Sequence, residues 1–284
     1  MMSAQKQRPF GNSGRALSVI GQGSWQLERA SQREAVATLR RGLDLGLDHI
    51  DTAEMYGSGE AEAVVGEAIA GRRGEAYVVS KVLPTNASRK GVQQACERSL
   101  RALRTDHMDC YLLHWRGSVP LGETIEAFVE LQRAGKISHW GVSNFDADDL
   151  DELEALGLGL PICNQVLYHL RERAIEHAVL PWCQQRGVAV TAYTPFGPGR
   201  FPAPATAQGQ ALARAAELHD ATTRQVALAW LTRHAGVFPI PKASSIPHVE
   251  ENAGAGTLTL SAEAIELLDA AFPLKPWSGS LPMI

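Results

Sequence analysis

Apolar and polar positions along the chain fall into two alternating patterns. Short runs rich in Val, Ile and Tyr read as buried strands, and longer stretches with apolar residues at three- and four-residue spacing read as helices. Phe10–Val19 is punctuated by glycine and predicts a hairpin, and Val19–Trp25 (VIGQGSW) supplies the first strand. Ser31–Gly46 predicts a helix, with Ser31 and Glu34 as a capping box and Gly46 past its end. His49–Asp51 ends the next strand, and Glu60–Ala70 predicts the second helix. Strands are then predicted at Ala76–Lys81, Met108–His114, His139–Asn144, Pro161–Val166, Gly187–Pro195 and Gly236–Lys242. Between and after them helices are predicted at Ser88–Arg104, Gly122–Lys136, Asp146–Leu156, Ala174–Arg186, Thr222–His234 (Thr222 and Gln225 forming a capping box) and Ser261–Phe272. Phe201–Gln210 is read with its neighbours as a Pro- and Gly-rich loop.

About eight strand–helix units without a linker imply a parallel sheet covered by helices. In a chain of 284 residues they point to an α/β fold, a (β/α)8 TIM barrel with a short N-terminal β-hairpin, as one domain over residues 1–284. A doubly wound open sheet would want a GxGxxG turn at the first strand–helix junction, and none is present.

Composition narrows the function classes. The chain is 45% hydrophobic and 20% charged, with a net charge of −4, as in an ordinary globular protein with a sizeable core. No basic stripe or acidic tail suggests nucleic acid or a membrane surface, and no apolar run approaches the ~18 residues of a membrane span. Cys96, Cys110, Cys163 and Cys183 lack CxxC or zinc-site spacing, so buried, reduced thiols and no metal site are expected. The N-terminus carries no signal-peptide pattern, and a cytoplasmic location is expected.

In a parallel barrel the active site forms where the strands end. The polar residues at those ends are Asp51, with Tyr56 in the loop beyond, then Lys81, His114 with Trp115, Ser143 with Asn144, Asn164 with Gln165, Tyr193 and Lys242. Each has a plainer reading. Asp51 and Lys81 could be a structural ion pair, His114 a hydrogen-bonded core histidine, Tyr193 packing, and Ser143 and Asn144 helix caps. Together they have a chemical logic. A phenol is a poor acid near neutrality, and an ammonium beside it favours the phenolate and lowers its pKa. Asp51 keeps Lys81 charged, and His114 can hydrogen-bond a substrate oxygen. The set is a tuned proton donor facing a carbonyl.

The motifs IDTAEMYGSGEAEAVVGEAI, VVSK, YLLHW, KISHWGVSNF, CNQVLYH, AYTPFG and IPKASSIPHVEEN make the chain resemble the aldo-keto reductases over nearly its whole length, with the bacterial methylglyoxal reductase and diketogulonate reductase types most similar. The resemblance implies an NADP(H)-dependent enzyme, with NAD(H) as the alternative, and places the catalytic tetrad on Asp51, Tyr56, Lys81 and His114. Tyr56 would be the general acid. It further implies that Ser143, Asn144 and Gln165 hold the nicotinamide amide and Tyr193 stacks on the ring. Gly23 and Ser24 would approach from the first loop, and Thr194, Pro195, Phe196 and Gly197 would cover the pyrophosphate. Trp25, Met55 and Trp115 would wall the substrate pocket, and Trp277 would either line it or anchor the tail. At the adenosine end the family often reads Lys-Ser-x-Thr-x-x-Arg. This chain has Lys242, Ala243, Ser244, Ser245 and then His248 in the arginine's place, with Glu251 and Asn252 matching adenine contacts. An always-charged bidentate clamp is lost, so weaker or more pH-sensitive NADPH binding is expected.

A short loop after the seventh strand and a short tail imply an open site for small aldehydes and α-dicarbonyls. A keto-sugar-acid reductase is the alternative, followed by a cofactor-binding regulator with slow turnover and a barrel isomerase or lyase. The last would need a phosphate-binding glycine cluster, for which Gly197–Gly199 is the only candidate. A monomer is expected, with a dimer as the alternative.

Overall fold

A computed structural model describes residues 5–199 and 201–284. A hairpin of β1 (Gln7–Pro9) and β2 (Ala16–Ser18) comes first. Eight parallel strands follow in sequence order: β3 (Gln22–Gly23), β4 (His49–Asp51), β5 (Tyr77–Val82), β6 (Met108–Leu113), β7 (Ile137–Ser143), β8 (Cys163–Leu167), β9 (Ala189–Tyr193) and β10 (Val237–Pro239). The ends of the sheet meet. Gly21 and Gly23 donate their N–H groups to the carbonyls of Pro239 and Pro241 at 2.9 and 3.1 Å. Both prolines are tolerated there because that edge only accepts. A Cβ on Gly23 would lie 2.6 Å from the Ile240 carbonyl, so only glycine allows this approach.

The helices are α1 (Gln32–Asp44), α2 (Glu60–Ile69), α3 (Arg89–Leu103), α4 (Leu121–Arg133), α5 (Ala147–Ala155), α6 (Val179–Arg186), α7 (Ala207–Glu217), α8 (Thr223–Leu231), α9 (Ile246–Ala255) and α10 (Ala262–Ala271). Thr222 and Gln225 form the expected capping box. Ser31 accepts from the Glu34 N–H, but its hydroxyl binds the Glu34 carboxylate instead of completing a box. The helix expected over 174–186 is broken into a single 3-10 turn at Ala174–Glu176 and α6. Pro181 lacks an N–H and fits only the first turn of a helix, which sets the start of α6 at Val179. Two helices lie where none is expected. α7 begins inside the presumed loop, capped by Thr206, and α9 follows the last strand.

Side chains alternate across the strands. Ile50, Val78, Val82 and Tyr111 face the helices. Tyr77, Val79, Cys110, Leu112, Cys163 and Phe238 face inward, joined by Phe10 and Leu17 of the hairpin, which plugs the barrel floor. Phe10 packs 5.3 Å from the rings of His49 and Tyr77 and 5.1 Å from Phe238. The same alternation turns His49, Asp51 and Lys81 inward at rising levels, with Asp51 level with Val79. That is how the strand ends deliver charge to the rim.

His49 is fully buried and neither ring nitrogen has a partner. Burial, then the nearby Lys81 charge, pulls its pKa down to about 3. The unfolded chain therefore takes up a proton near the ordinary histidine value of about 6.5 that the folded chain refuses. Stability should fall below that pH, by about 1.4 kcal/mol per pH unit for this group. Urea denaturation at pH 7.5 and pH 5 should show His49→Phe losing about 2 kcal/mol less than the wild type over that interval. An unchanged pH dependence would show that His49 does not carry the effect.

Candidate active site

The cavity of about 560 Å³ at the carboxyl ends of the strands gathers residues from nearly every strand–helix loop. Gly23 ends β3, with Ser24 and Trp25 beyond it. Asp51 ends β4, with Met55 and Tyr56 in the loop after it, and His114 and Trp115 follow β6. Ser143 ends β7 and Asn144 follows it, Gln165 lies on β8, and Tyr193 ends β9, with Thr194, Pro195, Phe196 and Gly197 after it. Ile240 and Lys242 follow β10.

Lys81 lies beneath the cavity, wholly buried. Its Nζ donates to Asp51 Oδ1 at 2.7 Å, to the Thr52 carbonyl at 2.7 Å and to the Tyr56 hydroxyl oxygen at 3.2 Å. An ammonium has three donors, so each one is used. Burial pulls the Lys81 pKa down, but Asp51 and Tyr56 more than reverse this and leave it above its ordinary value. Because the Tyr56 oxygen accepts from Lys81, its own proton is left to point elsewhere. Lys81 pulls the Tyr56 pKa down, as expected, but does not decide its net direction. Burial raises the Tyr56 pKa, Lys81 only pulls against it, and the net direction is up. Desolvating a phenolate here outweighs one shared ammonium. The free protein thus carries a protonated phenol whose conjugate base has a cation waiting.

His114 stands edge-on to Tyr56, ring centroids 5.9 Å apart. Burial, then the charge of Lys81, brings its pKa down to about 2, so the ring is neutral near pH 7. Its Nδ1 is buried without a partner. That favours the tautomer with the proton on Nε2, since an N–H facing no acceptor is the costlier arrangement.

The amide-bearing residues are tightly tied. Gln165 donates its Nε2 to Asp51 Oδ2 at 2.7 Å, and the Ser143 hydroxyl donates to the Gln165 carbonyl at 2.8 Å. Asn144 donates to the His114 carbonyl and to Ser143 Oγ, both at 3.1 Å, and accepts from the Tyr193 hydroxyl at 2.9 Å. Asn144 holds this position with φ of 61°, and Thr194 has φ of 51°, left-handed values that non-glycine residues keep only where the surroundings enforce them. Neither Ser143 nor Asn144 caps α5. Asp146 does, in a reciprocal box with Asp149.

The run after β10 divides. Lys242, Ser244, Ser245 and His248 are accessible, at the start of α9, and Glu251 is half-buried. Ala243 and Asn252 are buried and line a separate small recess with Gln22 and Val249. Ser245 makes no side-chain cap bond, which leaves the first N–H groups of α9 open to an anion.

Several contributors are not apparent from the sequence. Met283 and Ile284 reach back to line the cavity, although the tail is read as too short to shape it. Trp277 does not line the cavity. It packs 6.0 Å from the His177 ring, whose Nε2 meets the Lys275 carbonyl at 2.8 Å. Ile240 also lines the cavity, and the Arg224 guanidinium lies 4.9 Å over the ring of Phe196, a residue of the cavity wall. Nothing local in the sequence marks these residues, because their role comes from where distant segments return. No helix of the described residues is long and apolar enough to cross a membrane.

A parallel barrel whose rim joins a buried Asp–Lys pair to a phenol and a neutral imidazole is built for proton transfer to an oxygen in a largely apolar cleft. The chain belongs to the aldo/keto reductase family, whose profile matches residues 19–272. It is 46% identical over 272 residues to the methylglyoxal reductase YeaE of Escherichia coli, covering 95% of this chain and 96% of that one. It is 30% identical to the glyoxal reductase of Bacillus subtilis, over 91% and 90% of the two chains. The crystal structure of an aldo/keto reductase from Klebsiella pneumoniae in complex with NADP and acetate superposes with a TM-score of 0.92, at 44% identity, over 99% of this chain and all of the other.

Proposed function

We propose that this protein reduces small aldehydes and α-dicarbonyls such as methylglyoxal with NADPH, Tyr56 giving the proton. The observation that carries this reading is the Tyr56 oxygen accepting from Lys81 Nζ at 3.2 Å at the floor of an apolar cavity. Methylglyoxal and glyoxal reductases among the relatives and the NADP complex support it.

The residues fit the cofactor. Ser24 Oγ is buried in the cavity wall without a partner and suits a polar group of the cofactor. The faces of Tyr193 and the amide groups of Asn144 and Gln165 suit a planar carboxamide. Lys242, the open start of α9 and the Phe196–Arg224 stack suit phosphates. Ala243 and Asn252 would act by packing from within. When bound, the cofactor supplies a hydride to the carbonyl carbon. The protein does the rest. His114 Nε2–H donates to the substrate oxygen and fixes its direction. Tyr56 gives its proton to that oxygen as negative charge builds there, and Lys81 holds the phenolate that results. Trp25, Met55, Trp115, Met283 and Ile284 present apolar side chains to the cavity and offer no cation to a sugar acid, which favours small uncharged carbonyls over the keto-sugar-acid alternative. All of this is built from one chain, so a monomer is the proposed functional unit, and a cytoplasmic setting fits four free, buried thiols.

A panel of aldehydes, α-dicarbonyls and keto-sugar acids, each run with NADPH and NADH, tests the reading. Small dicarbonyls with NADPH should give the largest kcat/KM, and a preference for NADH or for sugar acids would overturn it. His248 adds a second expectation. It stands, exposed, where an arginine would supply an always-charged bidentate clamp, so His248→Arg should bind NADPH more tightly while NADH affinity stays level. Unchanged NADPH affinity in that variant would show that His248 does not face the phosphate.

A further inference from the structure

We infer that Glu54 is the positioning residue that sets Tyr56 over Lys81. Glu54 lies between Asp51 and Tyr56 in the loop after β4, and its side chain is only 10% exposed. One carboxylate oxygen, Oε1, accepts from the Leu83 N–H at 2.8 Å and from Asn86 Nδ2 at 2.9 Å. The other, Oε2, accepts from Arg98 of α3 at 3.0 Å. The Glu54 N–H donates to the carbonyl of Lys81 itself at 3.3 Å. Glu54 thus clamps the loop that carries the phenol to the loop that follows the ammonium, from both its backbone and its side chain.

The clamp has something to hold against. Ala53–Tyr56 is a tight turn, closed by the Tyr56 N–H on the Ala53 carbonyl at 3.0 Å, with Glu54 at its first corner. Directly after it come three left-handed residues, Gly57 at φ 56°, Ser58 at 54° and Gly59 at 96°. Ser58 is strained in that region, and a strained turn relaxes unless its neighbours fix it. The Tyr56–Lys81 contact of 3.2 Å joins the loop after β4 to the end of β5, and no other side chain between Asp51 and Tyr56 bonds across to the loop that follows β5. A shift of about 1 Å at a reacting group can lower the rate about 10²-fold.

The inference rests on Tyr56 being the proton donor, and the experiment separates the two. The readouts are kcat with NADPH and methylglyoxal, and NADPH affinity by fluorescence quenching. Glu54→Ala should lower kcat by about 10- to 100-fold while NADPH affinity stays within about twofold, because no cofactor-facing residue moves. Glu54→Gln keeps an oxygen for Leu83 and Asn86 and gives up only the half-exposed Arg98, so it should restore kcat to within about threefold of the wild type. Should Glu54→Ala fail to fold, Asn86→Ala removes one of the two loop donors and should lower kcat at unchanged NADPH affinity. Unchanged kcat in Glu54→Ala or Asn86→Ala overturns the inference, as does a Glu54→Gln variant as impaired as the alanine. If these variants keep kcat while Tyr56→Phe is inactive, the clamp alone is wrong. If Tyr56→Phe stays active, the proton-donor reading is wrong.

Discussion

Tyr56→Phe is expected to bind NADPH as the wild type does and to reduce methylglyoxal about 10²- to 10⁴-fold more slowly, the range general acid catalysis supplies. The substitution removes one oxygen and keeps the ring that packs edge-on against His114. Lys81 retains Asp51 and the Thr52 carbonyl as acceptors, so the fold should lose only about 1 kcal/mol. Steady-state kinetics, NADPH titration by fluorescence and a urea melt separate the three quantities. A variant with kcat within about fivefold of wild type on several aldehydes would mean that the proton comes from another group. His114 would be a poor substitute, since burial keeps it neutral with its pKa near 2. Its N–H can direct an oxygen but gives up a proton far less readily than a phenol.

Much of this site is legible in the chain because a barrel is a regular object. Parallel strands are buried on both faces, so a charge in one must sit at its end or be paired. Asp51, Lys81 and His114 each stop an apolar run, and the alternation that turns Tyr77 and Val79 inward also turns Lys81 inward. Spacing alone could not give the net direction of the Tyr56 shift. That depends on how deeply the phenol is buried, which follows from the assembled cavity, whose lining includes Trp25, Met283 and Ile284 from opposite ends of the chain. The two unforeseen helices have a related cause. Gly209 makes α7 look like loop, yet a Cβ there would lie 1.9 Å from the Ala203 carbonyl. Gly254 of α9 faces Gln225 Nε2 at 2.1 Å from its would-be Cβ. Both glycines are present for close packing against a neighbour, and in isolation they read as helix breakers. Glu54 was hidden differently: a carboxylate in a polar loop is unremarkable until its three donors, 29 to 44 residues away, are seen to converge on it.

Lys81→Met should be the most destabilising of the site substitutions, and a second change should repair the fold without repairing the chemistry. Asp51 is 1% exposed and Lys81 fully buried, 2.7 Å apart. Burial pushes the Asp51 carboxyl up, with Lys81 and Gln165 pulling it back, so its charge is tolerated because the ammonium is there. Removing one member of a buried pair typically costs about 3–5 kcal/mol, whereas replacing both with neutral groups of similar volume is often close to neutral. Lys81→Met should therefore lower unfolding stability by that amount at pH 7.5, and Asp51→Asn combined with Lys81→Met should recover most of it. Because Lys81 titrates above an ordinary lysine when folded, its contribution to wild-type stability is present below the ordinary lysine value and is lost as pH rises through the folded one. The double variant should lose that alkaline dependence. Both variants should remain at least about 10²-fold slower in kcat, since neither offers a cation to the phenolate of Tyr56. Urea melts at pH 7.5 and at about pH 11.5, above the ordinary lysine value, with kcat measurements at pH 7.5, decide it. A double variant as unstable as the summed singles would mean that the pair is not one electrostatic unit. A double variant with wild-type kcat would mean that Lys81 serves the fold and not the proton transfer.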